Sequence, residues 1–282
     1  MSTTKGRRAV AVVVSVAMLL GVVGGGIWAV MSLLPPEPQI VPHCEATVGE
    51  YTVSITTEQA YNAGIIAGVS VKRGLIPRAA SIALATAYQE SKILNLDYGH
   101  ADSLGLFQQR TSQGWGTEEE IMDPWYSSAR FYKELVKFKG WETGDINDYA
   151  QKVQRSGYPE AYRQHESNAR TLASALTGET PAAFTCILPA AEANDIAGMT
   201  DYLKKTFGKK ITLEQTDDLT LTITTDDQAK AWSAAAVAIS AADTYGLATA
   251  AVGTHTWTRA ADPAWTSGEP TTTVTLAFAK AG

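Results

Sequence analysis

PRAASIALATAYQES, residues 77–91, reads as an apolar helix that ends in a carboxylate. Pro77 suits a first helical turn, where its missing N–H is not needed, and Arg78 carries the only charge before Glu90. At helical spacing Ala79, Ala83, Thr86 and Glu90 share one face, so three small side chains lead to an anion. Two forces oppose that anion: the helix dipole disfavours negative charge in a last turn, and burial penalises the charged form of a carboxyl. Such a Glu needs a partner or a use, unless it simply frays into solvent. A partly buried Glu with a raised pKa is what a general acid needs near neutral pH.

The segments around it are mostly helical in period. Thr57-Glu58 precede QAYNAGIIAGVSVKRG, and Asp123-Pro124 read as an N-cap and helix-starting proline for WYSSARFYKELVKF. Further helices are expected over 145–155 and 158–177, the latter stopped by Gly178. One Gly-rich stretch, YGHADSLGLFQQRTSQGWGT (98–117), interrupts them. Residues 44–186 therefore read as an all-α domain of about five helices.

Of the 282 residues, 45% are hydrophobic and 18% charged, enough to bury a core, and the net charge is −6. Clustered Lys and Arg of a nucleic-acid surface are missing. Lys5, Arg7 and Arg8, in residues 1–8, precede 26 uncharged residues, Ala9 to Leu34, a length that can span a bilayer. The run is long for a signal peptide and leads into a Pro-rich linker over 35–43, so it reads as an uncleaved single-pass anchor, with cleavage as the alternative. The basic residues then stay cytoplasmic and the rest of the chain faces outward, toward the cell wall. The two cysteines, Cys44 and Cys186, fall on the exported side, where a disulfide is favoured, and a loop that long is worth about 4 to 5 kcal/mol in the chain-entropy model. No C-x-x-C spacing occurs and the four His are scattered, so neither a metal site nor a cofactor is expected.

A second motif follows Glu90-Ser91 by about a dozen residues: Gly105-Leu106-Phe107-Gln108. In this order, on a helical background, the two motifs resemble the lysozyme-like superfamily, especially soluble-type lytic transglycosylases and goose-type lysozymes. Their pattern is an Ala-rich helix ending in Glu-Ser, then Gly-Leu-Met-Gln, with Phe107 here replacing Met; the likeness covers roughly residues 57–177. It implies that Glu90 protonates a glycosidic oxygen in peptidoglycan glycan strands and then acts as base, that Ser91 helps position substrate, and that Gln108 lines the sugar cleft. Gly105 permits close backbone approach, and Phe107 offers an apolar face. The family's Ala-Tyr-Asn motif is missing from the corresponding stretch, 148–159, where Tyr149, Gln151 and Gln154 are the candidate substitutes; Gln151 and Gln154 share a helix face.

A hydrolase pairs its acid with a second carboxylate, whereas lytic transglycosylases resemble one-carboxylate enzymes assisted by the substrate acetamido group. Asp97 and Asp102 are the candidates for a second carboxylate, and either can equally serve to cap a turn. Trp115, between two glycines, is the aromatic expected to stack on a sugar; Trp125 and Trp141 suit packing roles better. From about residue 192 the composition turns to Thr, Ala and Asp, with strands at LTLTITT, 248–258 and 271–279 around a helix from Asp226 to Tyr245. The sequence thus leads to this expectation: a mainly α lysozyme-like domain after a transmembrane helix, then a small α+β domain over 192–282, acting on peptidoglycan glycan strands from the membrane, with room for an envelope protein partner. The competing reading is a non-catalytic wall-binding or scaffold protein that keeps the lysozyme-like shape.

Overall fold

The computed structural model describes residues 40–155, 158 and 160–280. The expected anchor over 9–34 lies outside the described residues; among those described, no helix is long and apolar enough to cross a membrane.

β1 (His43–Val48) and β2 (Tyr51–Thr56) form a hairpin that leads directly into α1 (Thr57–Lys72). A capping box, in which Thr56 and Gln59 satisfy each other's backbone N–H groups, starts that helix. α2 (Pro77–Ser91) begins at proline and ends where Lys92 and Ile93 both adopt left-handed backbone. A two-stranded ribbon follows, β3 (Ser103–Leu104) with β4 (Gln109–Arg110), and then α3 (Glu118–Met122) and α4 (Pro124–Leu135). The Asp123 side chain caps α4 by accepting from the N–H groups of Trp125 and Tyr126. α5 (Ile146–Gln154) and α6 (Glu166–Leu176) complete the first helical group. β5 (Phe184–Ile187) then returns to β1 and makes a three-stranded sheet in the order β2-β1-β5. That pairing sets Cys44 opposite Cys186, and the two form a disulfide across 142 residues of sequence.

Beyond it lie α7 (Ile196–Phe207), β6 (Thr212–Asp217), β7 (Thr220–Thr224), α8 (Gln228–Ser240), α9 (Ala242–Tyr245), β8 (Leu247–Val252), β9 (His255–Thr258) and β10 (Thr273–Phe278). Their strands build an antiparallel five-stranded sheet, β6-β7-β10-β8-β9, with α8 packed on it.

This corrects the expected fold class. The structure is about 45% helix and 20% strand, with three sheets, not a mainly α domain trailed by a small α+β one. YTVSIT buries Val53 and Ile55 with period two, a strand signal that a six-residue segment beside the linker made easy to miss. Ile40–Gly282 fall in one compact unit. α1 touches α2, α4 and α6 as well as α7 and α8, which explains why ten of its sixteen residues are buried. Several polar contacts join the two halves. Trp257 donates to the Thr185 hydroxyl at 2.8 Å, Trp265 to the Phe184 carbonyl at 2.9 Å, and Trp125 to the Thr206 hydroxyl at 2.9 Å. Trp257 is fully buried.

Close approaches occur at Gly64 and Gly68, one turn apart on α1. A Cβ on Gly64 would collide with the Ser240 hydroxyl and lie 2.7 Å from the Tyr202 oxygen, and one on Gly68 would run into the Thr206 methyl group. Neither obstacle at Gly64 is free to leave, because Ser240 donates to the Val237 carbonyl at 2.7 Å and Tyr202 to the Tyr61 carbonyl at 3.2 Å.

Two measurements test this packing. In an exposed helix Gly→Ala adds about 1 kcal/mol of stability, whereas overpacking costs about 1 to 3 kcal/mol; Gly64→Ala should therefore lower the urea midpoint, and a raised midpoint would mean that the helices are not in this contact. Unreduced peptide mapping should find Cys44 and Cys186 joined. Their removal should cost about 5 kcal/mol if chain entropy governs the loop, and an unchanged melting temperature would contradict that account.

Candidate active site

α2 delivers Glu90 in its last turn, and the termination of that helix is built with unusual care. Lys92 and Ile93 donate their N–H groups to the Tyr88 and Ala87 carbonyls, both at 3.0 Å. Their own carbonyls accept from Gln59 (2.8 Å) and Asn62 (2.9 Å) of α1. The end of α2 is thus clamped to the central helix, and the carboxylate cannot fray.

Glu90 is half-buried, and the hydroxyl of Tyr162 donates to its Oε1 at 2.6 Å. Burial raises its pKa above the ordinary Glu value, and the hydrogen bonds from Tyr162 and the Gln154 side chain offset part of that rise. Tyr162 is itself fully buried. Its N–H donates to Asn147 Oδ1 at 3.2 Å, and the turn behind it is tied to α2 where Gln89 Oε1 accepts from Gln164 at 3.1 Å and meets His165 Nε2 at 3.0 Å. The His165 ring stacks on Tyr88 at 5.5 Å. Arg163 adds ion pairs to Asp145, Glu160 and Glu166.

Among the described residues, none of the other expected site residues hydrogen-bonds Glu90, whose partner is Tyr162. Ser91 is buried, with its hydroxyl donating to the carbonyls of Ala87 (3.1 Å) and Leu106 (2.8 Å), so it braces the Gly105–Gln108 turn against α2 and does not face the cleft. Gly105 has φ +75°, and a Cβ there would sit 2.8 Å from the Ile121 carbonyl; the glycine is required by the turn itself. Phe107 is 0% exposed and stacks on Phe131 at 4.8 Å, which makes it core and not an apolar face for a sugar. Its carbonyl accepts from Gln154 Nε2 at 2.7 Å, which ties the Gly-rich turn to α5. Gln108 is partly exposed and donates to the Tyr98 carbonyl at 3.2 Å. Gln151 donates to the Tyr158 carbonyl. Trp115 is half-buried under the Arg130 guanidinium, 5.2 Å from its ring centre, and lines a cleft of about 230 Å³ together with Gln154.

Asp102 behaves in the opposite way to Glu90. It accepts from Ser112 N–H (2.7 Å), Arg110 Nε (2.6 Å) and the Ser112 hydroxyl (3.0 Å), which hold its carboxyl well below the usual range. With Asp97 it lines a different, open depression of about 670 Å³, and Glu90 is not among the residues lining that depression. Its visible work is to pin the β3–β4 ribbon.

Tyr162 is the residue that sequence reasoning missed. Ala161-Tyr162-Arg163 match two residues of an Ala-Tyr-Asn pattern and lie beyond the stretch 148–159. Gln154 bonds the Phe107 carbonyl and also lowers the proton affinity of Glu90. Among the described residues no group of three or more His, Cys, Asp or Glu is placed to hold a metal ion. No family model matches the chain, and no curated protein matches it.

A carbon-13 NMR titration of the glutamate carboxyls checks the electrostatics without any assumption about activity. Glu90 should titrate above the ordinary Glu range. A donated hydrogen bond favours the ionised form, so Tyr162→Phe should move that titration to still higher pH; no movement would mean that the two groups are not coupled.

Proposed function

We propose that this protein cleaves peptidoglycan glycan strands with Glu90 as general acid and then general base, in the manner of a one-carboxylate lytic transglycosylase. The observation that carries the reading is the environment of Glu90: desolvation keeps a proton on it at higher pH than usual, while Tyr162 and Gln154 hold the carboxyl in one orientation. In the forward step the protonated carboxyl gives its proton to the glycosidic oxygen as that bond breaks, and the departing chain leaves as an alcohol. The carboxylate so formed, stabilised by the same two donors, then takes a proton from the attacking hydroxyl and is ready for another cycle.

Where that hydroxyl comes from separates a transglycosylase, which uses the sugar's own and leaves an anhydro end, from a muramidase, which uses water and leaves a reducing end. The first is favoured because the candidate second carboxylate, Asp102, is committed to Arg110 and Ser112. The charge-free run over 9–34 and the disulfide fit a chain held at the outer face of the cell membrane.

Purified full-length chain incubated with isolated sacculi should release soluble muropeptides with anhydro ends, as read by mass spectrometry. Glu90→Gln should reduce that release by about 10² to 10⁴, while Asp102→Asn should act only through stability. The fold should tolerate Glu90→Gln for a stated reason. A carboxyl with a raised folded pKa costs stability as pH rises from the unfolded Glu value through the folded one, and costs nothing below both. The variant should accordingly melt no lower than wild type at neutral pH and alike in acid. Full activity of Glu90→Gln would remove Glu90 from the chemistry and leave the wall-binding scaffold as the standing alternative.

A further inference from the structure

The cleft that Trp115 and Gln154 line carries more positive charge than the chain around it. In a protein of net charge −6, its wall presents Arg130, Lys137, Lys152 and Arg155 against one acid, Glu134. Glu134 is already taken by Arg130 and, at 2.8 Å, by Lys137. Lys152 lies 4.1 Å from the ring centre of Tyr149, which keeps its ammonium at the surface of α5. Arg155 stands at the end of α5 in left-handed backbone, exposed, and among the described residues has no ion pair. Two cations thus have no ion pair among the described residues beside a space of about 230 Å³; Glu90 does not line that space, but Gln154, between them in sequence, does, and it acts on the Glu90 carboxyl.

We propose that this cleft is an anion-binding subsite next to the catalytic position, and that it takes the carboxylate-bearing peptide substituent of the sugar whose bond is cleaved. The inference rests on the glycan-cleaving reading of Glu90. The volume suits a substituent of one or two residues and not a further sugar chain. Trp115 offers an apolar wall beside the charges, as a peptide side group needs and a bare phosphate does not. Gln154, which lines this cleft and also acts on the Glu90 carboxyl, connects it to the group that transfers the proton. Charge-assisted hydrogen bonds to a carboxylate are roughly twice as strong as neutral ones, so recognition of this substituent should place the glycosidic bond as well as add affinity.

Calorimetry on the full chain tests the assignment without turnover. The probes are a muramyl-tetrapeptide disaccharide with free carboxylates, the same compound with its carboxylates amidated, and a glycerol-phosphate polymer. The free acid should bind wild type at least about tenfold more tightly than the amide, with an affinity that falls as salt rises. The variant Lys152→Gln/Arg155→Gln, checked for an unchanged melting temperature, should lose that preference while still binding the amidated probe as wild type does. Equal binding of acid and amide, no binding of either, a preference that survives in the double variant, or tighter binding of the phosphate polymer would each overturn the proposal. Charge-dependent binding by a protein that fails to cleave sacculi would overturn only the catalytic reading of Glu90.

Discussion

Everything in this structure hangs on how closely other helices can approach α1. Gly64 and Gly68 let α7 and α8 come against its backbone, with Ser240, Tyr202 and Thr206 standing where a Cβ would be. Glycine inside a helix costs about 1 kcal/mol relative to alanine, a cost met only where packing returns more. Here it does, because the same helix serves two cores. One side of it receives the half of the chain that follows the disulfide, and the Gln59 and Asn62 side chains fasten the end of α2. The carboxylate at that end is therefore positioned by a helix whose own seat depends on residues far downstream.

That coupling explains how a carboxyl can be kept in an unfavourable place. Desolvation and the helix dipole both act against ionised Glu90, and an unclamped last turn would relieve them by fraying into water. The clamp on Lys92 and Ile93 blocks that relief, and the hydrogen bond from Ser91 to the Leu106 carbonyl brings the Gly-rich turn up beside it. The donors on Glu90 then temper the penalty without abolishing it. A fully paired carboxylate, such as Asp102, is pushed the other way and held ionised. Two acids in neighbouring segments thus end with opposite proton affinities, each set by its surroundings.

The parts legible in the sequence are those governed by local chemistry. Pro77, Asp123 and the apolar period placed the starts of α2 and α4, and an anion at the end of an apolar helix pointed to Glu90. The disulfide followed from compartment and count. What escaped was set by tertiary contact. Phe107 reads the same in sequence whether it faces a sugar or Phe131. Gly64 and Gly68 read as two small residues until α7 and α8 lie against them. α7 was legible but unread: IAGMTDYLKKTF buries Met199, Tyr202, Leu203, Thr206 and Phe207 at helical spacing, behind an Asp195 cap. Tyr162 escaped because a hydroxyl can reach Glu90 from outside the helix expected to supply its partner.

Division of labour between the two faces of Gln154 ties these points together. Its amide bonds the Phe107 carbonyl and so reports the position of the Gly-rich turn, while also contributing to the proton affinity of Glu90. A side chain with both roles makes acidity and cleft shape interdependent. Any displacement of the turn, whether from a lost Ser91 brace or an occupied cleft beside Trp115, alters the hydrogen bonding of the acid. Because one lost donor raises the affinity for a proton, a loosened turn would leave Glu90 protonated to higher pH but poorly oriented. A seated turn makes it the stronger acid, held in place. On the proposed reading of Glu90 as general acid, proton transfer gains from the second state, since orientation is worth more than a small gain in protonated fraction near neutral pH.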